Sequence, residues 1–354
     1  MDTTTDTVAG LSQARLAEAM RASGAASSDA VLDSFSARPI GNGLMADTLL
    51  LDLTWRGEGV GPTSAVAKVP STDEAAARTA ASLGAYEREA SFYVEFVGES
   101  EIDVPRLLGV IPSDAGAPTL LLEDLSALSA RDQLEPVGLD VVEQMRAQLA
   151  ALQAPFWESD RLAATPWLHR RLGVPIPGIA ERMRTSWDAT RSYLADEYDD
   201  AERAQIDRFV VGADRWAQGI GGPVSLVHHD YRIDNMLFGP DRVVVLDWQT
   251  VGLGAPMFDL AYALATSLSP ETRAQVERDV VRTHVADLAA RGVDFDEDLA
   301  WRCYREASFA TMLMLVPPTG SVKRTDRGDQ VFRDLLRRGA RIALDLDADE
   351  FLPR

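Results

Sequence analysis

Residues 228–235 carry side chains that suit the transfer of a phosphoryl group. They read His-His-Asp-Tyr-Arg-Ile-Asp-Asn, and the apolar run that begins at Val243 ends in an acid, Asp247. Phosphoryl transfer from a nucleotide needs an acid near the attacking hydroxyl and oxygen ligands for magnesium. Asp230, Asn235 and Asp247 could supply these groups. The residue types and their spacing therefore predict the catalytic centre of a phosphotransferase.

A short hairpin is predicted to bring the two candidate metal ligands together. Two β-favouring stretches, residues 236–238 and 243–246, flank a Gly-Pro-Asp turn. In such a hairpin Asn235 lies almost opposite Asp247. This arrangement suits Mg²⁺, because the ion takes few protein ligands and completes its octahedron with phosphate oxygens and water. Asp230, in the preceding loop, would orient a hydroxyl for in-line attack.

Three further polar residues of this region are given structural interpretations. We interpret His228 as a brace of the loop, and we expect His229 to face solvent. Asp259 lies in the segment Pro-Met-Phe-Asp-Leu-Ala, where a helix should begin. It is interpreted as a helix cap or a brace of the catalytic loop rather than as a metal ligand.

Length and charge limit the possible partners. The chain has 354 residues, of which 46% are hydrophobic and 25% are charged, as in globular proteins. Its 35 basic residues face 55 acidic ones, and the formal net charge is −20. A generally acidic surface repels nucleic acids and anionic membranes, so neither is expected as a partner.

The remaining bulk features favour a reducing compartment. The one cysteine, Cys303, cannot form a disulfide within the chain. The first residues have neither a basic start nor an apolar run, so no secretory signal is indicated. No apolar stretch reaches membrane-spanning length. The expected location is therefore cytoplasmic.

The hydrophobic pattern predicts an α+β protein with the two-lobe plan of protein kinases. We expect an N-terminal helical extension at 1–30, a small nucleotide-binding lobe at 31–124, and a larger helical lobe at 125–354 that holds the catalytic loop, metal site and acceptor site. The small lobe should contain an antiparallel sheet and one long helix at 73–97. Its predicted strands are residues 31–40, 48–55, 64–69, 104–111 and 119–122.

The first 30 residues and the large lobe are predicted to be helical. An amphipathic helix is expected at 11–20. After the small lobe, helical patterns cover 141–156, 179–193 and 201–216, and they resume from 258 to 345 with breaks at 269–270 and 317–320.

Lys68 and Glu89 are predicted to form a buried ion pair. Lys68 sits in a strand whose neighbours are all apolar, and burying an unpaired ammonium is costly, so it needs a partner anion. On the predicted helix, Glu89 lies in the middle of an aromatic face, whereas Glu87 points away and should be solvated. Such a pair would hold the lysine on the α- and β-phosphates of a nucleotide.

Two other segments of the small lobe are candidate nucleotide contacts. Gly41 and Gly43 form a turn between the first two strands, where backbone amides could approach phosphates. The same Gly-Asn-Gly sequence is also an ordinary hairpin turn. Glu123 and Leu125 follow the last strand, and their backbone groups could hydrogen-bond the edge of the base.

The ordered set of motifs resembles the aminoglycoside phosphotransferase and choline kinase superfamily. The similarity spans residues 40–264, and its Glu-x-x-Phe-Tyr and Asp-Trp-Gln parts are most similar to the ecdysteroid-kinase-like (CHK kinase-like) branch and its bacterial relatives. The residues that carry it are Lys68, Glu89-Ala90-Ser91-Phe92-Tyr93, Leu122-Glu123-Asp124-Leu125, the 228–235 motif, Leu246-Asp247-Trp248-Gln249 and Asp259-Leu260-Ala261-Tyr262.

The resemblance implies a protein-kinase-like fold, ATP or GTP with Mg²⁺, and transfer to a hydroxyl of a small molecule. It implies Asp230 as the base, Asn235 and Asp247 as metal ligands, and Lys68 as the phosphate anchor. The chain departs from the family in two places. His229 stands where relatives often have glycine, and Gln153 stands where they often have histidine.

Other functions remain open at this level. An antibiotic O-phosphotransferase acting on an aminoglycoside or macrolide is a subset of the main hypothesis. The apolar segments 309–316 and 154–157 are interpreted as helix core, and the alternative is that they line the site of a lipophilic acceptor. A non-catalytic kinase-like binding protein is disfavoured because the motif residues are present. A metal-dependent hydrolase would need more histidines than His169 and His284 supply.

Overall fold

The computed structural model describes residues 10–40, 45–57, 59–113, 117–170 and 172–352. It divides into two compact units, and each is described by itself. Unit 1 comprises Met1–Glu99, Asp103–Leu128 and Val244–Thr250. Unit 2 comprises Ser100–Ile102, Ser129–Val243 and Val251–Arg354.

Unit 1 is built on a five-stranded antiparallel sheet. All five predicted strands are present, and their spatial order is β1-β2-β3-β5-β4. Apolar side chains on one face form a core with the first helix. The elements of this unit, in chain order, are α1 (Gln13–Ala22), β1 (Leu32–Pro39), β2 (Ala46–Trp55), β3 (Ser64–Pro70), α2 (Glu74–Ser82), α3 (Ala85–Glu95), β4 (Leu107–Ile111) and β5 (Thr119–Leu122).

The N-terminal helix packs directly on this sheet. Leu16 and Met20 of α1 are buried in the same core as strand residues such as Leu51. The backbones approach closely at Gly109 of β4, where an added Cβ would lie 2.9 Å from the carbonyl carbon of Ala19. A side chain at that position would push the helix off the sheet.

The single long helix expected at 73–97 is wrong, because the chain forms two helices there. Asp73 caps α2 by accepting hydrogen bonds from two backbone amides. Gly84, directly before α3, has a φ of 62°, which lies in the left-handed region. A right-handed helix cannot continue through such a residue, and glycine adopts it without a steric penalty.

Unit 2 is mainly helical. Together with the antiparallel sheet of unit 1, this confirms the predicted α+β fold class. The breaks expected near residues 269 and 319 are present. Strands β6 and β9 pair antiparallel, and Ser225 lies opposite Gly254. The helices are α4 (Leu139–Gln153), α5 (Asp160–Ala164), α6 (Ile179–Leu194), α7 (Asp200–Gly219), α8 (Met257–Ser267), α9 (Pro270–Ala290), α10 (Glu297–Glu306), α11 (Ala310–Thr319) and α12 (Asp326–Asp345). The short strands are β6 (Ser225–Val227), β7 (Met236–Phe238), β8 (Val243–Val245), whose last two residues belong to unit 1, and β9 (Gly252–Gly254).

The apolar run of α11 lies in the core of unit 2, as interpreted from the sequence. Phe309 stacks on Phe209 with ring centroids 4.9 Å apart, and Trp216 packs edge-on against it. Met312 and Val316 are buried in the same cluster. Among the described residues, no helix is both long enough and apolar enough to cross a bilayer.

Candidate active site

Lys68 is the centre of a charged cluster in unit 1. Strand β3 places it between Thr48 of β2 and Leu120 of β5. Its Nζ donates to both carboxylate oxygens of Glu89 at 2.7 Å and to Oδ1 of Asp247 at 2.8 Å. The side chain of Lys68 is 15% exposed and that of Glu89 is 3% exposed. The predicted pair is therefore present, and Asp247 belongs to the same cluster.

Glu89 also fixes the segment that follows Asp247. Its Oε1 accepts a hydrogen bond from the backbone amide of Trp248 at 3.1 Å. The Trp248 ring stacks on Phe92 of α3 at a centroid distance of 3.8 Å. Glu87, by contrast, is exposed, as the helix phase predicted. One face of α3 thus holds both the carboxylate and the ring that position this segment.

The charges of the cluster and their burial shift the pKa values of its groups. Burial opposes the charged form of Lys68, but the charges of Asp247 and Glu89 outweigh it and raise the pKa of the ammonium. Burial raises the pKa of Glu89, and the charge of Lys68 opposes that rise. Two carboxylates therefore share one ammonium.

Asp247 has an unusual backbone conformation at the end of β8. Its φ is 62°, in the left-handed region, which aspartate tolerates better than most residues. Its side chain is 41% exposed although its Oδ1 is bonded to Lys68. The carboxylate is therefore accessible to a ligand as well as paired.

The loop at residues 228–235 of unit 2 is held by Asp259. This residue lies in the first turn of α8, and its two carboxylate oxygens accept the backbone amides of His228 at 2.7 Å and His229 at 2.8 Å. Burial raises the pKa of Asp259 to about 7, while the two amide hydrogen bonds favour the charged form. The interpretation of Asp259 as a loop brace agrees with these contacts.

His229 does not face solvent, so that expectation is wrong. It is only 1% exposed, and its ring lies 5.4 Å from that of Phe258. Its φ of 68° is in the left-handed region, a conformation that the sequence pattern does not indicate. His228 is also buried, and its Nδ1 accepts a hydrogen bond from the amide of Asp230 at 3.2 Å, which is the bracing contact expected of it.

The carboxylate of Asp230 receives three hydrogen bonds from side chains. Its Oδ1 accepts from the hydroxyl of Tyr262 at 2.9 Å and from Nε of Arg232 at 3.3 Å. Its Oδ2 accepts from Nδ2 of Asn235 at 2.9 Å. The charge of Asp230 also helps to raise the pKa of Arg232, against the effect of burial.

Tyr262 and Arg232 are two site residues whose roles the sequence pattern did not predict. A signal for the tyrosine exists, because it lies three residues after Asp259 on one helix, and residues at that spacing share a helix face. If Asp259 reaches the loop, the hydroxyl of Tyr262 is directed toward the same region. Arg232 carries no comparable signal, since its contacts depend on how the loop folds.

Asn235 is oriented in a way that suits a metal ligand. Its Nδ2 donates to the backbone carbonyl of Asp230 at 2.8 Å as well as to Oδ2 of that residue. With both amide hydrogens used, its Oδ1 is the atom left to bind a cation. Within the described residues, no group of three or more His, Cys, Asp or Glu side chains forms a metal cluster.

The predicted hairpin after Asn235 is present as strands β7 and β8 around a turn. The turn is closed by a hydrogen bond from the amide of Gly239 to the carbonyl of Arg242 at 2.8 Å. Asn235 belongs to unit 2 and Asp247 to unit 1. Their joint role as metal ligands stays a prediction.

Comparison with known proteins identifies the family. The model of the phosphotransferase enzyme family (APH) matches residues 37–337. The chain belongs to this family. It is therefore a member of a phosphotransferase family.

Solved structures agree with this fold. A Ralstonia eutropha protein assigned as an aminoglycoside phosphotransferase is 18% identical, with a TM-score of 0.54 over 93% of this chain and 98% of that one. Choline kinase from Cryptosporidium parvum is 9% identical, with a TM-score of 0.52 over 90% and 92%. The GDP complex of aminoglycoside 2'-phosphotransferase-IIIa is 15% identical, with a TM-score of 0.52 over 93% and 99%.

Two curated relatives match only a short segment of this phosphotransferase. Mouse acyl-CoA dehydrogenase family member 10 is 39% identical over 51 residues, which are 14% of this chain and 5% of that protein. The probable acyl-CoA dehydrogenase IBR3 of Arabidopsis thaliana is 48% identical over 46 residues, which are 12% and 6%. The matched part is thus about a twentieth of the length of those relatives.

The remaining predicted nucleotide contacts are only partly visible. Gly41 and Gly43 lie outside the described residues. The amide of Glu123 donates to the carbonyl of Arg106 at 2.9 Å, so it extends the strand pairing of the sheet. Within the described part of the chain, the carbonyl of Glu123 and the amide of Leu125 make no hydrogen bond.

Gln153 makes a structural contact in this phosphotransferase. It is fully buried at the end of α4, and its Nε2 donates to the carbonyl of Pro256 at 2.9 Å. Its Oε1 lies 3.0 Å from Nε2 of His284. Burial lowers the pKa of His284 to about 3, so that imidazole is neutral. Gln153 therefore anchors the start of α8, the helix that carries Asp259.

A cavity of about 630 Å³ in unit 2 contains none of the predicted site residues in its lining. Its three arginines all have protein partners. Arg337 donates to Glu202 at 3.1 Å, Arg341 donates to Asp345 at 3.1 Å, and Arg338 donates to a backbone carbonyl. The cavity is therefore an ion-paired surface of the helical unit, and it is not assigned to the reaction.

Proposed function

We propose that this phosphotransferase transfers the γ-phosphoryl group of a nucleoside triphosphate to a hydroxyl of a small molecule. Asp230 acts as the base, and Asn235 and Asp247 hold Mg²⁺. The observation that carries the proposal is the oriented carboxylate of Asp230, which is bonded to an asparagine amide whose oxygen is left for a cation. Phosphoryl transfer depends mainly on positioning and electrostatics, and this arrangement supplies both.

The nucleotide is assigned to the residues of unit 1. Lys68 anchors the α- and β-phosphates, and Glu89 keeps its ammonium in place. Gly41 and Gly43 cover the phosphates through their backbone. The carbonyl of Glu123 and the amide of Leu125 bind the base. The donor is ATP or GTP, and the GDP complex of the similar aminoglycoside phosphotransferase supports a guanine nucleotide as one choice.

Bound magnesium would neutralise charge on the phosphate oxygens. The protein residues perform the remaining tasks. Asp230 accepts the proton of the acceptor hydroxyl, and Lys68 holds the triphosphate. Asp259 keeps the loop of Asp230 in its conformation through the two amides that it accepts. Each task is assigned to a side chain that hydrogen bonds already fix.

The acceptor class is a small-molecule alcohol, and two kinds of neighbour support it. One similar structure is an aminoglycoside 2'-phosphotransferase and another is a choline kinase. An aminoglycoside or macrolide antibiotic is the specific alternative within this class, and the net charge of −20 favours a cationic acceptor.

The proposal is tested by nucleotide binding and by turnover. Calorimetry with ATP and GTP, with and without Mg²⁺, should show magnesium-dependent binding, and a panel of hydroxyl compounds should reveal an acceptor. Asp230→Ala should reduce turnover by about 10²- to 10⁴-fold, the range for loss of a general base, while the nucleotide still binds. Asp241→Ala, which removes an exposed carboxylate from the nearby turn, is the matched control and should leave turnover unchanged.

Unchanged turnover in Asp230→Ala would refute the assignment of the base. Nucleotide binding without turnover on any hydroxyl compound would instead favour a non-catalytic binding protein. The two results are separable, because the first requires an active wild-type protein and the second requires an inactive one.

A further inference from the structure

We infer that Tyr262 is a positioning residue that directs the free lone pair of Asp230 Oδ2 toward the acceptor hydroxyl. The inference rests on the proposed function, in which Asp230 is the base. A carboxylate offers about four lone-pair sites, two on each oxygen. Tyr262 and Arg232 occupy both sites of Oδ1, and Asn235 occupies one site of Oδ2. Among the described residues, the one site left for a proton is on Oδ2.

Tyr262 is held rigidly enough to impose this orientation. Every residue of α8 is buried, and the tyrosine itself is fully buried. Its ring is nearly parallel to that of Phe258, one turn earlier, with centroids 6.4 Å apart. A buried ring on a packed helix has few alternative rotamers, so its hydroxyl stays at one point.

The hydroxyl of Tyr262 also stays a donor. Burial raises its pKa well above the ordinary value, and the charge of Asp230 adds to that effect. A protonated phenol beside a carboxylate can only donate to it. The hydrogen bond therefore persists over the pH range in which a carboxylate acts as a base.

The reaction step is balanced with this geometry. The O–H bond of the acceptor breaks and its proton passes to Oδ2 of Asp230. The acceptor oxygen forms a bond to the γ-phosphorus, and the bond from that phosphorus to the β-phosphate oxygen breaks. The products are the phosphorylated alcohol and a nucleoside diphosphate. Tyr262 takes part in no bond change, because it acts through Asp230.

The test compares two tyrosine hydroxyls that both bind a carboxylate. Tyr262→Phe removes the donor to Asp230, and Tyr304→Phe removes a fully buried donor to Glu277, also at 2.9 Å, in a structural ion-pair network. The probes are ATP and GTP with Mg²⁺. Phosphate release is measured with water as the acceptor, and turnover is measured with the best hydroxyl compound of the panel.

Tyr262→Phe should lower kcat about ten-fold and leave the nucleotide KM unchanged, since one hydrogen bond to a charged group is lost in the transition state. Tyr304→Phe should leave kcat unchanged. It should lower the melting temperature about as much as Tyr262→Phe does, since each variant loses one buried hydrogen bond to a carboxylate. On an Asp230→Asn background, Tyr262→Phe should cause no further loss, because the two residues act as one unit.

Each outcome has a defined meaning. Equal kcat values for Tyr262→Phe and the wild type, or equal losses in both tyrosine variants, would overturn the positioning role. A further ten-fold loss on the Asp230→Asn background would overturn it as well. If Asp230→Asn keeps full turnover, or if the wild type transfers phosphate to no acceptor including water, the proposed function itself fails, and the positioning role fails with it.

Discussion

The charged cluster of unit 1 and the 228–235 loop of unit 2 hold their carboxylates in different ways. Around Lys68, opposite charges hold Glu89 and Asp247 in place. Around Asp230, the hydrogen-bond donors include a phenol and an amide. Asp259 fixes the loop itself by accepting hydrogen bonds from two of its backbone amides. A buried ion pair leaves an uncompensated charge when one partner is removed, whereas a hydrogen-bonded loop loses position. Removing one partner should therefore cost more stability in the first region than in the second.

The largest stability effect is expected at the ammonium of unit 1. Lys68→Met leaves Glu89 buried without its partner and should lower the free energy of unfolding by about 3–5 kcal/mol, as for other broken buried pairs. Denaturation with urea measures this directly. Lys323→Met is the matched control, because that lysine is exposed and its removal should cost less than about 0.5 kcal/mol. Equal losses in the two variants would show that the cluster is not a stabilising pair.

A smaller effect is expected from the titration of Asp259 in unit 2. Its pKa is about 7 in the folded protein, against an ordinary value of 3.8. A carboxyl with a raised pKa stabilises the fold at low pH, and this contribution is lost as the pH rises through the folded value. The carboxyl should therefore make the wild type about 2–3 kcal/mol less stable at pH 8 than at pH 5.

Comparison with Asp259→Asn isolates this contribution. The variant lacks the titrating group. Between pH 5 and pH 8, the loss of unfolding free energy should therefore be about 2–3 kcal/mol smaller in the variant than in the wild type. Urea denaturation of both proteins at the two pH values provides the measurement. Identical pH dependence in the two proteins would mean that Asp259 is ionised throughout and that the loop brace is a permanent anion.

The smallest effect concerns the backbone that orients Glu89. Gly84→Ala adds a Cβ that meets no atom within 4 Å, so its cost comes from the left-handed φ alone, about 1 kcal/mol. Gly98→Ala is the matched control, because its Cβ also meets no atom within 4 Å and its φ is not left-handed. A melting-temperature difference should separate the two variants, and its absence would show that the break before α3 is not fixed by this glycine.

Much of unit 1 could be predicted because its signals are local. All five strands followed from β-favouring runs between turns, and Glu89 stood out as a charge on an aromatic helix face. The division of the helical stretch at Gly84 did not follow, since a lone glycine also occurs within continuous helices. Asp247 was assigned to the metal, but its direct contact with Lys68 joins positions 179 residues apart.

Unit 2 was predictable in its motif but not in its contacts. The 228–235 motif indicated which residues could do chemistry. It did not indicate that His229 is buried, because that depends on a left-handed φ and on the packing of Phe258. The hydroxyl of Tyr262 reaches Asp230 only because the loop packs against one face of α8. Long-range contacts of this kind depend on packing, which periodicity does not report.

The sequence by itself determined the chemical groups, most of the secondary structure and the family. These depend on residue types and on spacings of a few positions, where period and composition carry the information. Tertiary structure decided which lone pairs of Asp230 are occupied, which groups the amide of Asn235 donates to, and which carboxylates surround Lys68. The physical reason is that hydrogen-bond and ion-pair geometry is fixed by atoms that distant segments bring within about 3 Å of one another.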